Sequence, residues 1–154
     1  MTREIERRFL LERLPGDLPE GTEVRQGYVA LDGDVSVRVR DAGGDHTITV
    51  KGGTGRDRVE VEGPIDAEEF EALWRLSEGR RIDKVRSVVP LGEYRAEVDV
   101  FGGALDGLAI VEVEFPSPEA ADAFVPPAWF GEEISGRAEW GNAALAVHGR
   151  PDGR

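Results

Sequence analysis

Acidic and basic side chains recur at alternate positions in several short segments of this chain. Four pairs of like charge stand out: Glu4 with Glu6, Glu112 with Glu114, Arg38 with Arg40, and Lys84 with Arg86. Paired carboxylates supply the oxygen ligands that Mg²⁺ and Mn²⁺ prefer, and paired cations suit phosphate oxygens. Together they favour metal-assisted phosphoryl chemistry, which depends on positioning and charge stabilisation and needs no Ser-His-Asp or Cys-His set.

The segments that carry these residues are predicted to be β-strands, because apolar, mostly β-branched residues occupy many of the intervening positions. One face of the sheet is then charged and the other apolar. The carboxylates of the charged face are Glu4, Glu6, Glu60, Glu62, Glu97, Asp99, Glu112 and Glu114. Its cations are Arg8, Arg38, Arg40, Lys51, Arg58, Lys84 and Arg86.

An antiparallel sheet with one dry and one solvated face would show the same alternation. Two features favour a functional face instead. These positions are almost purely charged, and like charges are grouped in pairs. Like charges two apart on a strand repel unless an opposite charge lies between them. A polyanion and metal cations would supply that charge, but alternation alone leaves both interpretations open.

Helices are predicted at three places between or after the strands. The longest begins at Asp66, where Glu69 completes a capping box and Phe70 starts an apolar stripe. Shorter helices are expected from Ser117 and from Asn142. We predict a mainly β, α+β fold. If the sheet closes into a barrel with its charged face inward, that face lines a water-filled tunnel and the helices pack outside.

Size and charge narrow the classes of function. The chain has 154 residues, a net charge of −12 and no cysteine, which predicts one domain over 1–149, a disordered tail over 150–154 and no disulfides. An acidic surface disfavours nucleic acid and anionic membranes as partners. The N-terminal segment lacks the apolar stretch of a signal peptide, so a cytoplasmic location is expected.

An ordered series of charged motifs resembles the CYTH domain family, the triphosphate tunnel metalloenzymes. The opening segment 4–8, EIERR, is similar to the ExExK signature of that family. The later matches are VRVR at 37–40, TITVKG at 47–52, RVEVEGPI at 58–65, IDKVR at 82–86, AEVDVF at 96–101, VEVE at 111–114 and NAALA at 142–146. The resemblance spans residues 2 to 148.

The resemblance implies a closed eight-stranded antiparallel β-barrel with a few helices packed outside, which binds one or two Mg²⁺ or Mn²⁺ ions and a small-molecule triphosphate. Family analogy suggests a homodimer. The implied metal ligands are Glu4, Glu6, Glu112 and Glu114. The implied phosphate-binding residues are Arg8, Arg38, Arg40, Lys51, Arg58, Lys84 and Arg86. The residues implied to orient these cations are Glu60, Glu62, Glu97 and Asp99. Candidates for catalytic roles are Arg8, Tyr28 and Lys84.

Two parts of the chain depart from the family pattern. Arg8 replaces the last lysine of ExExK, and an arginine cannot give up a proton near neutral pH. If relatives use that lysine with a tyrosine to activate water, Tyr28 is the candidate partner here. Near the C-terminus, Arg137, Trp140 and Gly141 stand where the family carries an Asp and a Tyr-Ser pair.

Hydrolysis of inorganic tripolyphosphate is the leading functional prediction, because no added domain or base-reading pocket is evident. Thiamine triphosphate or a nucleotide are alternative substrates, and a class IV adenylyl cyclase would use the same tunnel. A polyphosphate- or nucleotide-binding module without turnover is the alternative from another class. A purely structural sheet is the third, and it predicts that single charge removals barely change ligand response.

Overall fold

The computed structural model of the protein describes residues 5–53 and 59–154. An eight-stranded antiparallel sheet dominates it, with the strand order β1-β8-β7-β6-β2-β3-β4-β5. The strands are β1 (Glu6–Leu10), β2 (Thr22–Asp32), β3 (Val35–Ala42), β4 (Asp45–Gly52), β5 (Val59–Pro64), β6 (Arg81–Leu91), β7 (Tyr94–Phe101) and β8 (Ala109–Glu114). The helices are α1 (Ala67–Trp74), α2 (Pro118–Ala123) and α3 (Asn142–His148). Over these ranges no helix is both long and apolar enough to cross a membrane.

Three of the hairpins turn through two residues, the first of which is a glycine. Gly33, Gly43 and Gly92 have φ angles of 58°, 61° and 60°, a left-handed conformation that favours glycine. They join β2 to β3, β3 to β4 and β6 to β7. Two-residue turns of this kind match the twist of the flanking strands.

The sheet is not closed, so the predicted closed barrel is wrong. Within the described residues, β1 and β5 end the strand order and do not pair with each other. The edge of β1 that faces away from β8 is bonded instead to residues 131–135. Leu10 N–H donates to Glu132 O at 2.8 Å, and Ile134 N–H donates to Arg8 O at 2.9 Å. Backbone groups engaged in this way cannot also form a ladder with β5.

Two apolar cores lie on opposite faces of the sheet. The first is on the face opposite the charged residues, which we call the outer face. There Phe9, Val98 and Val111 pack with Ala121 of α2 and with Phe130. The second covers part of the other face. Its members are Ile82, Phe101, Leu105, Leu108, Ile110, Ile134, Trp140 and Leu145. Because Leu145 belongs to α3, this helix packs against the same face that carries the charges, rather than outside.

Helix α1 covers the outer face of β2, β3 and β4, and its predicted capping box is confirmed. Glu69 N–H donates to Asp66 Oδ1 at 2.7 Å, while Asp66 N–H donates to Glu69 Oε1 at 2.9 Å. Phe70 is fully buried. The segment just after the helix can approach β2 closely because Gly27 has no side chain, since a Cβ there would collide with Ser77.

Candidate active site

Strand alternation and register bring the described site residues to one face of the sheet, which we call the charged face. For example, Arg8 pairs with Glu112, and Glu112 pairs with Glu97, across β1, β8 and β7. The described members that the sequence predicts are Glu6, Arg8, Tyr28, Arg38, Arg40, Lys51, Glu60, Glu62, Lys84, Arg86, Glu97, Asp99, Glu112 and Glu114. Glu4 and Arg58 lie outside the described residues.

Three carboxylates form an acidic cluster at one end of this face. Side-chain oxygens of Glu6, Glu112 and Glu114 lie within 4.8 Å of one another, because Glu6 stands directly opposite Glu114 in the ladder. Burial, together with the hydrogen bond to Glu6 and its charge, raises the pKa of Glu112 to about 8. A divalent cation would relieve this crowding, and carboxylate oxygens are suitable ligands for Mg²⁺ or Mn²⁺.

A partly buried ion-pair group lies beside the cluster on β6 and β7. Arg86 binds Asp99 through two hydrogen bonds of 2.8 and 2.9 Å and Glu97 through one of 3.0 Å. Lys84 Nζ lies 2.9 Å from Asp99 Oδ2. Burial lowers the pKa of Lys84 to about 8, although Asp99 opposes the change. Burial alone would raise the pKa of Asp99, but the bonds from Arg86 and the charge of Lys84 keep it below its usual value.

Cationic and phenolic groups of β2 and β3 complete the centre of the face. Burial, followed by the charges of Arg38 and Arg86, lowers the pKa of Arg40. Burial raises the pKa of Tyr28, and the nearby Arg38 only partly offsets this. The phenol therefore keeps its proton at neutral pH and can act as a hydrogen-bond donor.

Cations on β3 and β4 are also held by carboxylates of β5. Arg38 Nη2 donates to Thr49 Oγ1 at 3.3 Å, and Thr49 Oγ1 donates to Glu62 at 2.9 Å. Lys51 Nζ lies 4.0 Å from Glu60. The carboxylates predicted to orient cations are thus next to them.

The two departures from the family pattern contact each other. Arg8 Nη1 donates to the carbonyl oxygen of Trp140 at 3.0 Å, and Arg8 Nε lies 3.4 Å from Glu112 Oε2. Its backbone N–H donates to Ser135 Oγ at 2.9 Å. Arg8 therefore joins the acidic cluster to the segment around Trp140, and its guanidinium already has two protein partners.

Gln26 and Thr49 belong to this face but not to the predicted site. Gln26 lies opposite Arg40 in the ladder, and its signal in the sequence was an amide at an alternate position between Val24 and Tyr28.

A cavity of about 380 Å³ adjoins the same face. It is lined by Val88, Glu93, Tyr94, Arg95, Glu97 and Glu114.

Comparison with known proteins agrees with this geometry. A family model of the CYTH domain matches residues 2–133. The chain belongs to this family. It is 43% identical over 147 residues to the inorganic triphosphatase of Nitrosomonas europaea, covering 94% of this chain and 97% of that protein. An inorganic triphosphatase of Acetivibrio thermocellus is 38% identical over 151 residues, covering 94% of each.

A solved structure also matches this CYTH chain over nearly its full length. The crystal structure of the inorganic triphosphatase NE1496 superposes with a TM-score of 0.75 at 42% identity, covering 93% of this chain and 97% of the other. The family resemblance in the charged motifs is thereby confirmed. Because both relatives are covered almost completely, no large part of either lacks a counterpart here.

Proposed function

We propose that this CYTH protein hydrolyses inorganic tripolyphosphate to pyrophosphate and phosphate and requires Mg²⁺ or Mn²⁺. The observation that carries the proposal is the acidic cluster standing on the same face as five described cations of β3, β4 and β6. Those cations are Arg38, Arg40, Lys51, Lys84 and Arg86. The inorganic triphosphatase relatives at 43% and 38% identity support the choice of substrate.

In the proposed reaction, water attacks the terminal phosphorus and the P–O–P bond to pyrophosphate breaks. Glu6, Glu112 and Glu114 would hold the metal ion, as would Glu4 according to the resemblance. A bound divalent ion supplies Lewis-acid stabilisation and lowers the pKa of its water. The five cations, with Arg58 as a further prediction, bind the phosphoryl oxygens and stabilise the charge that develops on them.

The supporting carboxylates keep these cations in position. Asp99 and Glu97 hold Arg86, and Asp99 also pairs with Lys84. Tyr28 donates a hydrogen bond rather than accepting a proton, since its pKa is raised. Arg8 cannot accept a proton either, so no tyrosine–lysine proton transfer is part of the proposal.

Phosphate release from tripolyphosphate in Mg²⁺, Mn²⁺ and EDTA tests the proposal, with ATP and thiamine triphosphate measured in parallel. We expect metal-dependent release that is fastest with tripolyphosphate. Glu6→Gln should abolish it while circular dichroism stays unchanged, and Glu20→Gln, a substitution at an exposed position, is the matched control. Tight tripolyphosphate binding without release would instead indicate a binding module. Activity in Glu6→Gln with normal metal dependence would contradict the ligand assignment.

A further inference from the structure

Gln26 is a fully buried polar residue on the charged face to which the charge pattern assigns no role. It lies in the middle of β2 and is 0% exposed. In the ladder it faces Arg40 of β3 on one side and Ile82 of β6 on the other. It therefore sits where the cationic part of the face meets the apolar core that packs against α3.

One end of the Gln26 amide is fixed by Arg40. Arg40 Nε donates to Gln26 Oε1 at 3.2 Å. A guanidinium has donors but no acceptor, so the atom that faces it must be the amide oxygen, and the orientation of the amide follows from chemistry. The amide nitrogen is consequently turned to the other side of the side chain.

That nitrogen has no hydrogen-bond partner among the described residues. Gln26 Nε2 is buried and unsatisfied, and so is Arg38 Nε on the neighbouring strand. Buried donors are nearly always paired, because an unpaired one lowers stability. Two unpaired donors on adjacent strands of the same cationic face are complementary to an oxyanion.

We propose that Gln26 positions the substrate: Oε1 holds the Arg40 guanidinium, and Nε2 donates a hydrogen bond to a phosphoryl oxygen of bound tripolyphosphate. The inference rests on the proposed function. A neutral amide suits this place because Arg38 and Arg86 already repel Arg40. An amide adds a donor without adding another positive charge.

A residue needed only to pair with Arg40 would serve better as a carboxylate, since a charge-assisted bond is stronger than an amide bond. Gln26→Glu therefore keeps the acceptor and removes the donor. Gln26→Met removes both at similar volume, so it removes the unpaired donor but also takes the acceptor away from Arg40 Nε. Glu23→Gln is the control, because Glu23 is exposed on the opposite face of the same strand.

The test compares the dissociation constant for tripolyphosphate in EDTA, kcat and KM with Mg²⁺, and the melting temperature of the free protein. We expect both Gln26 variants to bind about tenfold or more weakly, as the loss of a hydrogen bond to a charged group predicts. KM should rise more than kcat falls, and Gln26→Glu should melt no lower than wild type because it keeps the acceptor for Arg40 Nε. Glu23→Gln should match wild type.

Unchanged affinity in Gln26→Met, with wild type active, would overturn the inference and leave the proposed function standing. The inference also falls if Gln26→Met binds weakly and melts well below wild type while Gln26→Glu binds normally, because Gln26 would then be structural. If wild type neither binds nor hydrolyses tripolyphosphate, the proposed function fails and this inference fails with it.

Discussion

Replacing Lys84 by Met should weaken tripolyphosphate binding at neutral pH. The difference in affinity between wild type and this variant should shrink progressively above pH 8. Methionine has a similar length and volume but no charge. The ammonium group of Lys84 is fully buried beside Asp99, and burial lowers its pKa from 10.5 to about 8. Lys84 is thus a cation whose charge can be removed by pH within the range where the protein can be handled.

The size of the effect follows from that pKa. A group with a pKa near 8 is charged in about nine-tenths of molecules at pH 7 and in about one-tenth at pH 9. If binding requires the ammonium group, the affinity advantage of wild type over Lys84→Met falls about tenfold over those two pH units. The lowered pKa also determines how the free energy of unfolding changes with pH. The unfolded chain holds the proton up to about pH 10.5, so the free energy of unfolding of wild type should rise relative to Lys84→Met between pH 8 and 10.5.

Titration calorimetry in EDTA, from about pH 6 to pH 10, measures both dissociation constants without turnover. The ratio of the two constants cancels the ionisation of tripolyphosphate itself, because both proteins bind the same ligand. A ratio that stays constant between pH 7 and pH 9 would refute the reasoning, whether because Lys84 does not contact the substrate or because its pKa is not lowered.

Three further predictions concern the metal site and the packing. Burial and Glu6 raise the pKa of Glu112 to about 8, so Mn²⁺ must displace a proton from this carboxylate when it binds below that pH. The affinity for Mn²⁺, measured by calorimetry, should therefore rise about tenfold per pH unit from pH 6 to pH 8. A Mn²⁺ affinity that does not change with pH would contradict the acidic cluster as the metal site. Phe70→Ala should lower the free energy of unfolding in urea by about 3–5 kcal/mol, since Phe70 is the fully buried residue of α1. A loss below about 1 kcal/mol would refute that packing. Gly27→Ala should lower the free energy of unfolding by about 1–3 kcal/mol, because the new methyl meets Ser77 just after α1, whereas Gly63→Ala, with open space around it, should change it little. Equal effects of the two substitutions would contradict the close approach of Ser77 to β2.

The charged face could be predicted because its alternation is visible in short local segments. Positions 37–40, 96–100 and 111–114 alternate between charge and valine or another apolar residue, and the structure has strands there. Strand β2 was missed because Glu23 and Arg25 make its outer face polar and Gly27 interrupts the pattern. Gln26 was missed with it. The capping box at Asp66 was predictable because it depends on residues only three apart.

That the sheet stays open could not be predicted, because the partners of its edge strands are segments far apart in the chain. Segment 131–135, GEEIS, has no strand-like alternation, yet its backbone bonds to β1. The mixed character of the charged face was also hidden. Ile82 and Lys84 share that face of one strand, but Ile82 is covered by Leu145 of α3 and its neighbours. That cover depends on where a distant helix packs.

The backbone hydrogen bonds between β1 and residues 131–135 limit where the chain can be truncated at its C-terminus. The family match ends at residue 133, which would be a natural choice for an expression boundary. A chain ending there would lose the bond from Ile134 to Arg8 and leave part of β1 with unpaired donors and acceptors. Strand β5, at the other end of the order, already exposes Val59 and Val61. Such a truncated protein has unpaired backbone groups at both edges of the sheet instead of one, so it should form intermolecular sheets and precipitate.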